Sequence, residues 1–174
     1  YTGRYETCFS VARYGNVMGS RGSVIPFFLS IAKDGVLPIT DNRMTRFMIT
    51  LEEGVELVWH VFDDMKGGEI YVKKIPSMKV TDVALAVDNT AKQEEVGIRP
   101  GEKLHEQMIG PEDALYTYEY PSYFKILPSI NEWDQDPERI GGGKRVDPDF
   151  IYRSDNNEQW MGVPELQEWI TINK

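Results

Sequence analysis

Apolar and polar positions alternate along the chain in short patterns that predict strands and helices in turn. Residues 7–13 (TCFSVAR) are rich in β-branched and aromatic side chains, which predicts a strand. Residues 14–23 contain three glycines and two serines and predict a loop. Ser23 is placed to cap a helix over residues 24–33, with Pro26 in its first turn. Because the loop and the helix N-terminus bring backbone N–H groups together, this segment predicts an anion site.

A longer helix is predicted directly after residue 50. Thr50 and Glu53 have the spacing of a capping box, and Gly67 ends the helical pattern. The apolar residues between these signals recur at helical spacing, at Leu51, Val55, Val58, Phe62 and Met65. Residues 36–40 (VLPIT), which precede this helix, predict a short extended segment.

The rest of the chain continues the alternation of strands and helices. The expected elements are strands at 69–73 and 95–98, helices at 81–87 and 102–108, a hairpin from YTYEY and YFKIL, and a final helix that Pro164 begins. Residues 131–149 are rich in glycine, proline and charge and predict a long surface loop. Strands that alternate with helices indicate an α/β fold.

The charge is distributed unevenly along the chain. The 174 residues carry 19 basic and 28 acidic side chains, a net charge of −9. Residues 1–50 hold six basic and three acidic groups, a net of +3, whereas the remainder holds 13 and 25, a net of −12. The overall acid excess excludes a broad nucleic-acid surface. A basic, glycine-rich front on an acidic body favours a local anionic ligand.

Length and cysteine content narrow the class of protein. The length allows one domain, or one domain and a piece of another. Cys8 is the only cysteine, which excludes an intrachain disulfide and favours a reducing compartment, so we expect a cytoplasmic location. No apolar run approaches the ~20 residues of a transmembrane helix, so no membrane partner is expected. The chain begins at Tyr1 and not at Met, which suggests trimming.

The glycine-rich loop is the first of three candidate phosphate sites. Gly15, Gly19 and Gly22 have the spacing G-x-x-x-G-x-x-G, which differs from the dinucleotide fingerprint. Arg21 lies inside this loop, and a guanidinium is a common partner of phosphate. The sequence is compatible with two interpretations of this loop, a phosphate-binding loop and a purely structural turn.

Two further arginine segments offer the same chemistry. Arg43 and Arg46 could bind phosphate oxygens in a bidentate fork, or could pair with nearby carboxylates. Arg99 and Glu102 could hold a diphosphate and a sugar hydroxyl, or could form a salt bridge with each other. His105 lies nearby as either an acid/base group or a structural residue. The chain has neither metal-ligand spacing nor a nucleophile-elbow motif, so no metal site is predicted.

Five segments, read in order, carry a family resemblance over nearly the whole chain. They are RYGNVMGSRGSVIPFF, LPITDNRMTRFMITLEEGVELV, GGEIYVKKIPSMKVTD, VGIRPGEKLHEQMI and YRSDNNEQW. The sequence resembles the inverting UDP-N-acetylglucosamine 4,6-dehydratases, which are extended short-chain dehydrogenase/reductases of pseudaminic acid and surface-polysaccharide biosynthesis. The G-x-x-G-x-x-G cofactor loop of that family is absent, and no Tyr is followed by Lys four positions on. The resemblance therefore implies the C-terminal half of such a lyase, without catalytic residues and inactive alone.

The resemblance also implies an organisation and a reaction. Residues 1–50 would end the NADP-binding Rossmann domain and carry substrate-binding loops, and residues 51–174 would form a smaller α/β substrate-binding domain. In the parent reaction NADP⁺ takes the C4 hydride of UDP-N-acetylglucosamine, water leaves across C5–C6, and the hydride returns at C6 with inversion at C5. A homo-oligomer is implied as well.

Residue by residue, the resemblance implies two sets of binding residues. The nicotinamide end of NADP would be lined by Gly15, Val17, Ser20 and Arg21. The UDP-sugar would be held by Asn16 at the diphosphate or sugar, by Thr40, Arg43 and Arg46 at the UDP, and by Arg99 and Glu102 over the phosphates and ribose. Two alternatives stay open: a stand-alone UDP-sugar binding module, and a related nucleotide-sugar epimerase or dehydratase on the same scaffold.

Overall fold

Residues 6–173 are described by a computed structural model in which strands and helices alternate along the chain. The α/β class predicted from the sequence is confirmed. The first of two compact units contains residues 6–14, 52–74 and 107–152, and the second contains residues 15–51, 75–106 and 153–173. The N-terminal fifty residues thus contribute to both units. The predicted domains, residues 1–50 and 51–174, were defined by function and not by compactness, and this division stays a prediction.

The elements are short and numerous. The helices are α1 (Val24–Ile31), α2 (Leu51–Asp64), α3 (Val80–Val87), α4 (Pro111–Ala114), α5 (Pro137–Ile140) and α6 (Val163–Ile172). The strands are β1 (Val11–Arg13), β2 (Asn16–Val17), β3 (Val36–Ile39), β4 (Thr45–Ile49), β5 (Ile70–Lys73), β6 (Ser77–Lys79), β7 (Lys92–Glu95), β8 (Gln107–Ile109), β9 (Thr117–Glu119), β10 (Tyr123–Ile126), β11 (Lys144–Arg145) and β12 (Tyr152–Arg153). Ala32–Asp34 and Trp133–Gln135 are 3₁₀ turns.

The first unit is built on a mixed five-stranded sheet in the order β1-β5-β10-β9-β11. β1 runs parallel to β5, with Ala12 beside Tyr71, and the other neighbouring strands are antiparallel. α2 packs on this sheet, where Leu57 and Val61 cover the buried ring of Tyr71. The antiparallel pair β9 and β10 confirms the predicted hairpin.

The buried face of α2 is not the apolar row that its spacing suggests. Gly54, Leu57 and Val61 are the buried residues of this helix. The row at Leu51, Val55, Val58 and Phe62 is exposed, as is Trp59 at 65%. Helical periodicity predicts that a helix has an apolar side, but not which side packs on the sheet. Here the neighbouring side of α2 packs on the sheet, so the apolar row stays exposed.

Residues 131–149 are mostly exposed, as their composition predicts, but they contain a 3₁₀ turn, α5 and β11, and two of their side chains, Asp134 and Arg139, are buried. Arg139 on α5 is buried and forms an ion pair with buried Glu69. The guanidinium also lies over the ring of Trp133, 3.9 Å from its centroid. Glu69 accepts further hydrogen bonds from the Ser10 hydroxyl at 2.7 Å and the Gly67 N–H at 2.8 Å. Since a buried charge needs partners, this cluster ties the segment to the start of β5.

The second unit holds two small sheets and three helices. β2 is parallel to β4, which is antiparallel to β6, and β3 is parallel to β7. α1, α3 and α6 pack together. Their buried side chains share one apolar core, which includes Ile25, Phe28, Val83, Ala84, Leu166 and Ile170. This unit brings the loops after β2, β3 and β7 together.

Three local predictions change between residues 23 and 109. The helix expected over residues 102–108 is wrong, because 107–109 form β8 and the Leu104 carbonyl accepts the Thr45 N–H at 3.2 Å. The strand expected at 95–98 lies earlier, at Lys92–Glu95. α1 begins after Ser23 as expected, but the Ser23 side chain makes no capping hydrogen bond.

The Arg139–Glu69 pair gives a stability test. We expect Arg139→Met to lower the free energy of unfolding by about 3–5 kcal/mol, because it leaves Glu69 buried without its counter-charge. The adjacent substitution Glu138→Gln removes an exposed pair with Lys66 and should cost less than about 1 kcal/mol. Urea unfolding followed by circular dichroism measures both, and equal losses would contradict the role of the buried pair.

The Asp64 carboxylate gives a pH test. It accepts hydrogen bonds from Lys125 Nζ and the Tyr71 hydroxyl, both at 2.7 Å. Burial alone would raise the pKa of Asp64, but these hydrogen bonds outweigh it and hold the pKa below 3.8. The resulting stability is present above about pH 4 and is lost as the pH falls through the folded pKa. Asp64→Asn should therefore cost most near pH 7 and progressively less in acid, and a pH-independent loss in urea unfolding would contradict this.

Candidate functional site

A cavity of about 680 Å³ lies in the second unit and contains several of the predicted binding residues. Its polar lining comes from Asn16, Ser23, Thr40, Arg46, Arg99 and Glu102. Its apolar lining includes Pro26, Phe27, Pro38, Met44, Met48 and Val96. The volume suits a drug-sized or nucleotide-sized ligand, and a mostly apolar wall with a few polar groups is typical of such sites.

The position of Asn16 in the cavity wall depends on a close approach between the backbone at Gly15 and strand β4. Asn16 pairs with Met48 where β2 runs beside β4. Gly15, one residue earlier, lies so near β4 that an added Cβ would be 2.5 Å from the Phe47 carbonyl oxygen. Glycine is therefore required at position 15 for packing, which places Asn16 at the cavity wall.

Ser23 brings an unpaired hydroxyl to the cavity. It directly precedes α1, and its backbone carbonyl accepts the Phe27 N–H at 3.1 Å. Its Oγ is buried and has no hydrogen-bond partner in the part of the chain that the structure describes. Buried hydroxyls are normally paired, so Ser23 keeps an unused hydrogen-bonding group directly beside the cavity.

Arg46 lies in the cavity wall, but its guanidinium is bound to the protein. The side chain is 11% exposed and donates to the carbonyls of Thr45 at 2.7 Å, Lys103 at 2.8 Å and Leu104 at 3.1 Å. Glu102 and Glu106 add carboxylate oxygens at 3.7 and 3.6 Å. Arg46 thus fixes the segment that carries Glu102 against β4.

Arg99 and Glu102 form a tight turn at the cavity. The Glu102 N–H donates to the Arg99 carbonyl at 3.0 Å, and Glu102 Oε2 accepts the Arg99 N–H at 3.3 Å. Gly101 has φ of +83°, a conformation that favours glycine. Within residues 6–173 the Arg99 guanidinium has no carboxylate within 4.0 Å. The alternative of a salt bridge between the Arg99 and Glu102 side chains is therefore wrong, and Glu102 lies instead 3.7 Å from Arg46. A cation without a counter-ion faces this cavity.

Arg43 behaves differently from Arg46 and Arg99. Its side chain is 73% exposed and binds Asp41 through two hydrogen bonds, at 3.0 and 2.7 Å. These hydrogen bonds lower the pKa of Asp41 to about 2. Arg43 does not line the cavity, and its predicted contact with UDP stays a prediction.

The residues expected at the nicotinamide end of NADP lie in the strand and turn before Ser23. Gly15 directly precedes β2 and Val17 ends it, and the Ser20 N–H donates to the Val17 carbonyl at 3.2 Å. Ser20 and Arg21 are exposed. The cavity is lined by their neighbours Asn16, Gly22 and Ser23. The four residues predicted to contact the nicotinamide therefore lie next to the cavity without lining it.

The sequence did not predict a polar network that joins Thr45 to His105 and Ser154. Thr45 Oγ1 lies 2.8 Å from His105 Nδ1 and 2.7 Å from the fully buried Ser154 Oγ, which accepts the Glu106 N–H at 2.9 Å. His105 Nε2 is 3.7 Å from Asp155. These contacts support a structural role for His105, and no spacing in the sequence connects residues 45, 105 and 154.

Among the described residues there is neither a cluster of potential metal ligands nor a membrane-spanning helix. No group of three or more histidine, cysteine or acidic side chains there could hold a metal ion. None of the helices in residues 6–173 combines the length and apolar character that crossing a bilayer requires.

Comparison with known proteins gives consistent matches. Residues 1–128 match the family model described as polysaccharide biosynthesis protein. The UDP-N-acetylglucosamine 4,6-dehydratase (inverting) of Campylobacter jejuni is 50% identical over 175 residues, which cover 97% of this chain and 52% of that protein. The UDP-glucose 4-epimerase of Rickettsia canadensis is 33% identical over 174 residues, 97% of this chain and 51% of that protein.

A solved structure is similar over the same extent. The X-ray structure of Pen from Bacillus thuringiensis is 34% identical, with a TM-score of 0.81, and the match covers 99% of this chain and 51% of that chain. The chain spans about half the length of the curated relatives it matches.

The close approach at Gly15 predicts a paired result. Gly15→Ala should lower the free energy of unfolding by about 1–3 kcal/mol and displace Asn16, because the added Cβ meets backbone that cannot yield easily. Gly54→Ala is the matched control, since its Cβ would meet nothing within 4 Å and alanine favours a helix. Urea unfolding and calorimetric titration with UDP compare them. Unchanged stability and binding in Gly15→Ala would show that the approach is not a constraint.

Proposed function

This chain belongs to the polysaccharide biosynthesis protein family, and we propose that it forms the UDP-sugar-binding portion of a nucleotide-sugar 4,6-dehydratase. One observation carries the proposal: Arg99, whose guanidinium has no carboxylate partner among the described residues, lines the same cavity as Ser23 and Asn16. The substrate named for the Campylobacter jejuni relative is UDP-N-acetylglucosamine, and this sugar nucleotide is the proposed ligand here.

The lining of the cavity matches the parts of a UDP-sugar. Arg99 supplies positive charge for the diphosphate, and the α1 N-terminus with Ser23 supplies donors that favour an anion. Glu102 accepts hydrogen bonds from ribose hydroxyls, and Asn16 and Thr40 have both donors and acceptors for phosphate or sugar oxygens. Phe27, Pro38 and Val96 give an apolar surface for the uracil ring.

Arg46 enters this proposal as a positioning residue. Its bonds to the Lys103 and Leu104 carbonyls hold the turn that carries Arg99 and Glu102 at the cavity. Arg43 could reach a phosphate after leaving Asp41, which would require breaking two hydrogen bonds. The two arginines of the RMTR segment therefore have separate proposed roles.

The proposed cofactor is NADP, which would accept and return a hydride at the sugar. The residues proposed for its nicotinamide end are Gly15, Val17, Ser20 and Arg21. They fit this role in one respect: Val17 ends the parallel strand β2, and Ser20 and Arg21 follow it as exposed residues at the carboxyl end of the strand, where ligands of α/β proteins bind. No catalytic residue is proposed in this chain.

The remaining parts of the proposal concern the whole enzyme. We place it among lyases that dehydrate UDP-N-acetylglucosamine with inversion at C5, in a cytoplasmic homo-oligomer. The 33% identity to a UDP-glucose 4-epimerase favours an epimerase as the second candidate. Incubation of this chain with UDP-N-acetylglucosamine and NADP⁺ should give no turnover, and any turnover would contradict the proposal that catalytic groups lie outside it.

Titration with UDP tests the phosphate assignment. Arg99→Ala should weaken UDP binding about 10- to 100-fold, because a charge-assisted contact of roughly 1.5–3 kcal/mol is lost. Arg43→Ala should have a smaller effect, since that guanidinium is already paired with Asp41. Isothermal calorimetry with circular dichroism as the folding control measures both. Unchanged binding in Arg99→Ala would overturn the proposal, and a larger loss in Arg43→Ala would reverse the roles given to the two arginines.

A further inference from the structure

His105 connects the segment that carries Arg99 and Glu102 to two other parts of the second unit. Its Nδ1 lies 2.8 Å from the hydroxyl of Thr45 on β4, and its Nε2 lies 3.7 Å from the carboxylate of Asp155. The His105 side chain is 22% exposed, so the protein covers most of its surface. His105 does not line the cavity, and the proposed function gives it no contact with the ligand.

The backbone on each side of His105 is tied to a different partner. Before it, the Leu104 carbonyl accepts the Thr45 N–H at 3.2 Å. After it, the Glu106 N–H donates to Ser154 Oγ at 2.9 Å, and the Ser154 N–H donates to the Glu106 carbonyl at 2.8 Å. The His105 side chain joins these two ties, because the Thr45 hydroxyl that it contacts also lies 2.7 Å from Ser154 Oγ.

The hydroxyls of Thr45 and Ser154 suit either protonation state of His105 Nδ1. When Nδ1 carries no hydrogen, the Ser154 hydroxyl donates to Thr45 Oγ1, and the Thr45 hydroxyl donates to Nδ1. When Nδ1 is protonated, it donates to Thr45 Oγ1, the Thr45 hydroxyl donates to Ser154 Oγ, and the Ser154 hydroxyl donates to the Thr45 carbonyl at 3.2 Å. Each hydroxyl supplies one hydrogen in both cases. The hydrogen bonds therefore reverse their direction while every heavy atom keeps its place.

Two carboxylates act on His105 from neighbouring turns. Hydrogen bonds from Arg43 lower the pKa of Asp41 to about 2, and a hydrogen bond from Arg153 lowers the pKa of Asp155, with a smaller contribution from the charge of His105 in both cases. Both carboxylates are therefore ionised between about pH 6 and about pH 8, the range in which a histidine changes its charge.

The other charged groups of the surrounding elements are paired or exposed. Arg43 pairs with Asp41, Arg153 with Asp155, and Arg46 with Glu102 and Glu106 at 3.7 and 3.6 Å. Lys103 precedes His105 on its own segment, and Lys79 lies opposite Thr45 on β6; both are exposed.

Protonation of His105 strengthens both of its contacts. A hydrogen bond from a charged Nδ1–H to Thr45 is charge-assisted, and such bonds are stronger than neutral ones. The imidazolium also attracts the Asp155 carboxylate, which the neutral ring does not. Arg99 and Glu102 lie six and three residues before His105 on the same segment. The segment that presents them to the cavity is therefore held more firmly when His105 is charged.

We propose that His105 is a positioning residue that links the pH to the placement of Arg99 and Glu102 at the cavity. This inference rests on the proposed binding of a UDP-sugar. Charged His105 ties the segment to β4 and to the turn that contains Asp155, so the ligand meets Arg99 and Glu102 already in place. As the pH rises and His105 loses its charge, the contact with Asp155 weakens, and ligand binding weakens with it.

Calorimetric titration of this chain with UDP-N-acetylglucosamine at about pH 6 and about pH 8 tests the proposal. The diphosphate of this ligand is substituted at both ends and keeps its charge over this range. We expect binding to be about three- to tenfold tighter at the lower pH. His105→Asn places an amide where Nδ1 lies, so it should bind as the unsubstituted chain does at the higher pH, with no pH dependence. His105→Leu should bind about tenfold more weakly at both pH values.

His60→Asn is the matched control, since His60 is the other histidine of the chain and lies on α2 in the first unit. It should keep the pH dependence of the unsubstituted chain, and circular dichroism compares the folding of the three variants. Binding by the unsubstituted chain that does not change with pH would overturn the proposal. A pH dependence that survives in His105→Asn, or that His60→Asn removes, would overturn it as well.

Amide hydrogen exchange without ligand separates this proposal from the proposed function. The protection factor of the Glu106 N–H, taken relative to the intrinsic exchange rate at each pH, should be higher at about pH 6 than at about pH 8 in the unsubstituted chain. It should be the same at both pH values in His105→Asn. Failure of UDP-N-acetylglucosamine to bind at either pH would contradict the proposed function, and with it the effect on the ligand. A Glu106 protection factor that is independent of pH in the unsubstituted chain would contradict the role of His105 itself.

Discussion

The candidate site depends on how the guanidinium of Arg46 is satisfied. A nearly buried cation must find partners inside the protein, and Arg46 finds three backbone carbonyls and two carboxylates. Two of those carbonyls belong to Lys103 and Leu104, so the turn with Arg99 and Glu102 is held against β4. Arg46 thereby adds to the backbone hydrogen bond from the Thr45 N–H to the Leu104 carbonyl, which ties the same segment to β4. Arg46, which the family resemblance predicts as a UDP contact, thus acts in the structure mainly on the turn that carries Arg99 and Glu102, the residues proposed to bind the ligand.

The basic character of the first fifty residues therefore has a mixed origin. Arg13 binds Asp113 and the Met108 carbonyl inside the first unit, and Arg43 binds Asp41. Arg46 is bound by the protein as well. Much of the positive charge that suggests an anionic ligand is neutralised internally, and the open cation of the cavity, Arg99, comes from the acidic remainder of the chain.

The first unit shows the complementary situation for apolar surface. Its charged groups Glu69, Arg139, Asp64 and Lys125 are paired and mostly enclosed, whereas Trp59 and Phe62 are exposed. Within residues 6–173, β1 is an edge strand of the same sheet, so this unit exposes both a strand edge and the apolar side of a helix.

The sequence by itself determined the α/β class, most elements and the segments that form the site. The β9–β10 hairpin, α2 and α6 follow from local turn, capping and proline signals, which act between neighbouring residues. Tertiary structure alone decided which side of α2 is buried, why residues 102–108 are not a helix and which arginine remains open to a ligand. Most of those outcomes depend on contacts between segments that are far apart in the chain, such as Leu104 for Arg46 and Ser154 for Thr45. Spacing along the chain carries no record of such contacts, because burial and hydrogen bonding are settled only when distant segments meet.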